Sequence, residues 1–171
     1  SSATLQDGNL KFVNGANDQG STGTFGITSG KWYWEVTYPA NDCPEVGLMP
    51  VNQYLSGRAT AGTGTVDGLA FITNGTSMRN ASWATEDNTG LSAQTSASTL
   101  GVVLDADNGK LWITDSSGSY FNSGNPETGT NPQATFDADW VAQTGGVVPF
   151  FLIATGVGEF CTVNFGQFAF E

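Results

Sequence analysis

Sixteen acidic residues and no histidine define the chemistry open to this chain of 171 residues. Without an imidazole there is no Ser-His-Asp or Cys-His nucleophile system and no histidine metal ligand. A pair of carboxylates, as used in glycoside hydrolysis, is the remaining catalytic option. Glu35, Glu45, Glu127 and Glu159 all lack the Glu-x-Asp-x-x-Glu strand spacing of such enzymes. We therefore predict that the domain is not an enzyme.

Two acidic segments raise the question of calcium. The run from Asp105 through Asp107 to Gly109 begins like an EF-hand loop, but its glycine comes one position early. Ser116 also stands where the bidentate glutamate belongs, so a hairpin turn is the better interpretation. Asp137 and Asp139 are assigned to a solvated loop. We predict no metal site and no cofactor, with a loop calcium ion elsewhere as the alternative.

The net charge of −11 excludes several classes of partner. A surface rich in carboxylates repels phosphate backbones, so the sequence predicts no nucleic-acid binding. No run of apolar residues is long enough to insert into a membrane. The length fits a single domain over residues 1–171, and 39% apolar residues are sufficient for a packed core. The start at Ser1 suggests a piece of a longer protein.

Two cysteines, Cys43 and Cys161, leave two interpretations open. They could be buried thiols, or they could form one disulfide that closes a long loop. The chain-entropy model gives such a bridge about 4–5 kcal/mol of stabilisation. The sequence does not choose between these interpretations, and the mass of the protein with and without reductant distinguishes them.

Short segments rich in aromatic and β-branched residues alternate with glycine and proline, which predicts an all-β fold without a convincing helix. The predicted strands are residues 9–13, 31–38, 45–49, 65–73, 99–105, 110–115, 147–155 and 159–165. In the second strand, Trp32, Trp34, Val36 and Tyr38 share one face by period two, which predicts a core face and a partly polar opposite face. Core packing is also expected for Trp112. Asn108-Gly109 predicts a hairpin with a type I′ turn.

Three long loops, residues 52–64, 84–98 and 115–139, separate these strands, and structureless loops of this length are usually functional or disordered. Aromatic rings in such loops can stack on a sugar or anchor a peptide, and arginines can bind a carboxylate or an acidic sugar. Tucking under the loop is the alternative for each ring. The ligand-binding candidates are Tyr54, Arg58, Arg79, Trp83, Tyr120, Phe121, Asn125 and Trp140.

Four ordered segments resemble the SPRY domain. Residues 26–36 contain G-K-W-Y-W-E-V, similar to an early strand motif of that family, and residues 45–49 resemble the strand that follows it. Residues 100–113 resemble its V-G-V-x-L-D hairpin, and residues 148–151 with 162–167 resemble its closing segment. Residues 52–98, where the family often places binding loops, match no motif.

This resemblance implies a bent antiparallel β-sandwich of concanavalin-like shape with long loops at one end. The composition and the loop at residues 125–130 are most similar to SPRY-type modules of bacteriophage virion proteins. We therefore expect a noncatalytic recognition domain of a phage tail or fibre, outside the cell, that binds a host-surface glycan or protein. A homotrimer formed through the parent fibre is compatible with this expectation. The alternatives are a structural virion module and an intracellular SPRY protein-interaction domain.

Overall fold

The computed structural model of the chain describes residues 3–16, 19–39, 44–52, 69–72, 78–79, 94, 97–153 and 157–167. In chain order, its elements are β1 (Thr4–Gln6), β2 (Lys11–Val13), β3 (Gln19–Thr22), β4 (Lys31–Tyr38), β5 (Pro44–Pro50), β6 (Leu69–Ile72), β7 (Met78–Arg79), β8 (Ser98–Asp105), β9 (Lys110–Ile113), β10 (Ala134–Thr135), α1 (Ala138–Gln143), β11 (Val147–Ile153) and β12 (Phe160–Asn164). The larger sheet has the order β1-β2-β12-β4-β8-β9-β10, and the smaller has the order β3-β11-β5-β6-β7. The predicted all-β sandwich is therefore confirmed.

Each of the eight predicted strands overlaps an observed strand, and four short strands were not predicted. β1, β3, β7 and β10 have two to four residues each, too few for a period-two pattern to be recognised. They lie at the edges of the two sheets. Their pairing with a neighbouring strand, and not their own sequence, makes them strands.

β4 lies between β12 and β8 in the larger sheet and shows the predicted alternation. Trp34, Val36 and Tyr38 are at most 2% exposed and face the smaller sheet. Trp32 belongs to the same face but is 42% exposed, so the expectation of core packing for this residue is wrong. Its position at the start of the strand takes it past the rim of the sandwich.

The core lies between the two sheets and is almost entirely apolar. Val36 and Leu100 from the larger sheet and Val46 from the smaller sheet are fully buried. Phe12 of β2 and Phe151 of β11 meet edge to face with their ring centroids 6.2 Å apart, which joins the two layers directly. All seven residues of β11 are buried, which explains why this strand has a continuous apolar sequence and no alternation.

The hairpin between β8 and β9 is confirmed, but its predicted type I′ turn is wrong. Asp105 pairs with Lys110, which leaves a loop of four residues between them. The Asp105 carboxylate accepts hydrogen bonds from the backbone N–H and side-chain amide of Asn108, all at 3.0 Å. These bonds organise the longer loop, and positive φ is needed only at Gly109.

The segment at residues 115–139 is folded, contrary to the expectation of a structureless loop, and it leads into helix α1. Asp137 caps this helix, because its carboxylate accepts the backbone N–H of Asp139 at 2.9 Å. Both carboxylates are exposed, but they belong to a helix start and not to the predicted solvated loop. In the part of the chain that the structure describes, no helix has the length and apolarity to span a membrane.

Two leucines provide a matched test of where the stability resides. Leu104 is fully buried between the sheets, whereas Leu5 on the edge strand β1 is 50% exposed. We expect Leu104→Ala to lower the free energy of unfolding by about 2–5 kcal/mol and Leu5→Ala by less than about 1 kcal/mol. Urea denaturation measures both. Equal losses would contradict the placement of the core.

Candidate functional site

A cleft of about 610 Å³ opens on the face of the larger sheet that points away from the core. Its floor is the polar face of β4, with Tyr33, Glu35 and Thr37, together with Gly101 of β8. One wall is the turn that follows β9, from Thr114 to Tyr120. The cleft therefore occupies the face of β4 that the sequence predicts to be partly polar.

Glu35 is the buried charge at the centre of this floor. Its side chain belongs to a residue that is only 3% exposed, and a buried carboxylate needs hydrogen-bond partners. Tyr33 donates its hydroxyl to Oε1 at 2.9 Å, and the side-chain amide of Asn164 donates to Oε2 at 3.1 Å. Both oxygens are thus held by neighbours from β4 and β12.

Gly101 is required because the ring of Tyr33 lies across it. A Cβ at this position would meet the Tyr33 hydroxyl oxygen at 2.7 Å and the ring carbon Cε2 at 2.8 Å. The backbone of Gly101 is also fixed by Thr114. It donates its N–H to Thr114 Oγ1 at 2.7 Å and accepts the Thr114 N–H at 2.9 Å. Because Gly101 has no side chain, the Tyr33 ring can lie over strand β8 and its hydroxyl can bond to Glu35.

The wall of the cleft is shaped by the carboxylate of Asp115. Oδ1 accepts the backbone N–H of Ser117 at 2.8 Å, its hydroxyl at 2.6 Å and the N–H of Ser119 at 3.0 Å. Burial alone would raise the pKa of Asp115, but the bonds from Ser117 and Ser119 outweigh it and lower the pKa. Asp115 therefore stays ionised and holds the turn.

Gln94 connects this wall to the sandwich. Its side-chain oxygen accepts the N–H of Ser116 at 2.8 Å, and its carbonyl accepts the hydroxyl of Tyr38 at 3.0 Å. Gln94 itself is buried. The turn is therefore attached to the same strand that forms the floor of the cleft.

Two phenol groups in the cleft keep their protons. Burial raises the pKa of Tyr33, and the hydrogen bond to Glu35 and the negative charge of that carboxylate raise it further. Burial also raises the pKa of Tyr120. At neutral pH the cleft therefore presents two tyrosines as rings with neutral hydroxyls.

The rest of the 115–139 segment covers the neighbouring part of the same sheet face. Trp112 donates its indole N–H to the Thr130 carbonyl at 2.9 Å, and Lys110 donates to the Gly129 carbonyl at 2.8 Å. Lys31 donates to the Pro126 carbonyl at 3.1 Å. Trp112 is thus fully buried, as expected, and this loop covers it on the outer face of the sheet.

Four of the predicted ligand-binding residues cannot be placed against the cleft. Tyr54, Arg58 and Trp83 lie outside the described residues. Arg79 lies in β7, of which the structure describes the backbone path. These four stay predictions.

The other four predicted residues do not form one cluster. Tyr120 lines the cleft, and Asn125 is exposed beside a smaller cavity of about 290 Å³ that Tyr120 also lines. Phe121 is 5% exposed and packs into the core. Trp140 is half-buried and packs edge to face on Phe136, with ring centroids 5.4 Å apart. The alternative of loop aromatics tucked under the loop thus describes Phe121 well.

Cys161 is buried in β12. Cys43 lies outside the described residues, so the disulfide and the pair of thiols both stay open. Among the described residues, no group of three or more His, Cys, Asp or Glu side chains could hold a metal ion.

The cleft residues that the sequence did not indicate as binding residues include Tyr33, Thr37, Gly101 and Thr114, and Glu35 was considered only as a catalytic carboxylate. The alternation of β4 indicates its polar face, but the floor depends on the register that sets Glu35 beside Gly101. Chemically, the cleft combines tyrosine rings with hydroxyl groups, and no lysine or arginine belongs to its described lining. Such a surface can bind a neutral polar ligand through stacking and hydrogen bonds.

Comparisons with known proteins support the fold. The chain is similar to the SPRY domain of human HERC1, with a TM-score of 0.65 and 14% identity over 98% of this chain and 94% of that one. It is also similar to the PSpry domain of TRIM65, with a TM-score of 0.59 and 15% identity over 94% of this chain and 84% of that one. No protein-family model and no curated protein sequence matches the chain. At these identities the comparisons show that the chain has the fold of a SPRY domain.

The contact between Gly101 and Tyr33 can be tested with a double-mutant cycle. We expect Gly101→Ala to lower the free energy of unfolding by about 1–3 kcal/mol, because the new methyl group meets the Tyr33 ring. In a Tyr33→Ala background the same change should cost less than about 1 kcal/mol, since the obstacle is gone. Equal costs in both backgrounds, measured by urea denaturation, would contradict the contact.

The raised pKa of Tyr33 predicts an alkaline loss of stability. The unfolded chain releases this proton near its ordinary pKa of about 10, and the folded chain releases it at higher pH. The stabilisation is therefore complete below about pH 10 and is lost as the pH rises above it. We expect the free energy of unfolding to fall less steeply over this range in Tyr33→Phe than in the parent chain. Identical slopes in urea titrations would be the contrary result.

Proposed function

We propose that this chain is a noncatalytic recognition domain that binds a glycan in the cleft on the outer face of the larger sheet. The observation that carries the proposal is the lining of the cleft, where Tyr33 and Tyr120 stand beside a buried Glu35 among threonine and serine hydroxyls. A sugar ring can stack on a tyrosine while its hydroxyl groups bond to such polar neighbours.

The charge of the domain favours a neutral glycan over an acidic one. The net charge is −11, and the described lining of the cleft contains one carboxylate, that of Glu35, and no lysine or arginine. An acidic sugar would have to approach against this field without a cation to receive it. Arg58 and Arg79 stay candidates for contacts beyond the described lining.

The way in which the cleft carboxylate is held supports binding without turnover. Hydrolysis by a carboxylate pair needs one group free to protonate the leaving oxygen and another to attack or activate water. Glu35 accepts hydrogen bonds on both oxygens, and Asp115 is committed to its own turn. This commitment supports recognition as the function.

The setting that we propose is a bacteriophage tail or fibre, on the virion and outside the host cell. It rests on the resemblance of the sequence to SPRY-type virion modules, with a host-surface glycan as the ligand and trimerisation through the parent fibre. The likeness to the SPRY domains of HERC1 and TRIM65 favours a second candidate, an intracellular domain that binds a protein partner. A structural virion module is the third candidate function. Binding of the domain to host cells would distinguish the recognition domain from such a module.

A glycan array tests the ligand, with Tyr120→Ala as the informative variant. We expect the parent chain to bind neutral glycans, and the loss of the Tyr120 ring to weaken binding by about tenfold. Leu5→Ala is the matched control, because Leu5 is an exposed apolar residue on an edge strand outside the cleft lining. It should bind as the parent does.

Three results would overturn the proposal. Absence of binding both on the array and to intact host cells would remove glycan recognition. Equal loss in Tyr120→Ala and Leu5→Ala would remove the cleft as its site. Release of shorter products from a bound polysaccharide would show that the domain is an enzyme.

A further inference from the structure

A second cavity of about 290 Å³ lies beside the cleft and shares Tyr120 with it. The rest of its described lining is Gly124, Asn125, Pro126 and Glu127. Small-molecule sites usually enclose about 300–1,000 Å³, so this cavity is at the lower limit, whereas the cleft lies well within the range. The cavity is therefore better suited to extend the cleft than to act as a separate site.

The loop that forms this cavity is internally fixed. Asn125 and Thr130 exchange two backbone hydrogen bonds, both at 3.0 Å. The side-chain oxygen of Asn125 also accepts the backbone N–H of Thr128 at 3.0 Å. Gly124 lies directly on the indole of Trp112, since a Cβ there would come within 2.8 Å of the ring atom Cδ1. A ligand would thus contact a preformed surface, and little conformational entropy is lost in ordering it.

Two side chains of this loop carry polar groups that the fold does not use. The amide nitrogen of Asn125 and the carboxylate of Glu127 make no hydrogen bond within the described part of the chain, and both residues are exposed. Asn125 therefore offers a donor while its oxygen holds the loop, and Glu127 offers two acceptor oxygens. A carboxylate can accept two neighbouring sugar hydroxyls, and such charge-assisted hydrogen bonds are stronger than neutral ones.

We propose that the glycan bound by this domain is an oligosaccharide, with one sugar unit in the cleft and a following unit in the second cavity, in contact with Asn125 and Glu127. The inference rests on the proposed function, because it extends the same glycan site. Tyr120 lines both cavities, so a sugar chain that leaves the cleft passes this ring. A single sugar would use the cleft alone.

The probes are neutral glycans of two lengths. They are the methyl glycosides of glucose, galactose, mannose and N-acetylglucosamine, and a linear trisaccharide built from each of these sugars. Binding is titrated in ¹H–¹⁵N NMR spectra, and the length gain is the Kd of the methyl glycoside divided by the Kd of its trisaccharide. In the series that binds, we expect a gain of about tenfold or more for the parent chain.

Glu127→Gln keeps the shape of the side chain and removes its charge. We expect it to reduce the length gain by about three- to fivefold, because the second sugar loses a charge-assisted acceptor. Asp7→Asn is the matched control, since it makes the same change of net charge at an exposed residue between β1 and β2, at the opposite edge of the larger sheet. It should keep the gain. Any statistical advantage of repeated sugar units is the same in each protein and cancels in this comparison.

The side-chain amide signal of Asn125 gives a second readout. Asn125→Asp identifies this signal by its disappearance and keeps an oxygen for the Thr128 N–H. We expect the trisaccharide, and not the methyl glycoside, to shift the signal. The extension is overturned by an unchanged gain in Glu127→Gln, by an equal loss of gain in Asp7→Asn, or by an Asn125 signal that the trisaccharide does not shift.

Failure of the proposed function gives a different result. If neither the methyl glycosides nor the trisaccharides bind, glycan recognition is wrong and the extension is overturned with it. If the glycans bind and Tyr120→Ala weakens them, but one of the three results above is found, only the extension is wrong. Far-ultraviolet circular dichroism of each variant confirms that it is folded before its binding is compared.

Discussion

The register of β4 between its two neighbours is the constraint on which the rest of the site depends. It sets Glu35 opposite Gly101 on one side and Asn164 on the other. Gly101 leaves room for the Tyr33 ring, and Asn164 supplies the amide for the second carboxylate oxygen. A shift by one residue would bring the polar face of β4, with the Glu35 carboxylate, into the apolar core, where a charge without partners is costly.

The residues that face the core could be predicted from the sequence, because alternate residues of a strand point to the same face of the sheet. Trp34 and Val36 are placed correctly on that basis. The cleft could not be predicted from the sequence, since Glu35 and Asn164 lie 129 positions apart in the chain and come into contact only through strand pairing. Trp32 and Trp112 show the same limit of sequence-based prediction. Trp32 is exposed because it lies at the rim of the sandwich, and Trp112 is buried because a loop covers it.

The segment after β9 divides the outer face of the larger sheet into a covered part and an open part. The ammonium groups of Lys31 and Lys110 donate hydrogen bonds to two loop carbonyls, and the indole N–H of Trp112 donates to a third carbonyl. These bonds close the part of the face over Trp112. The cleft is what remains open, so its boundary is set by the loop and its floor by the sheet.

The turn at the cleft wall has a consequence for how such a domain can diversify. One carboxylate, that of Asp115, supplies the bonds to Ser117 and Ser119, and the bond to residue 116 uses only its backbone N–H group. Positions 118 and 119 are constrained, because Gly118 has a positive φ and the hydroxyl of Ser119 accepts a hydrogen bond from that of Ser117 at 3.2 Å. The exposed side chain at 116 is thus spared from maintaining the shape of the turn. Selection can exchange it, and with it the chemistry of the cleft wall, while the framework is inherited unchanged.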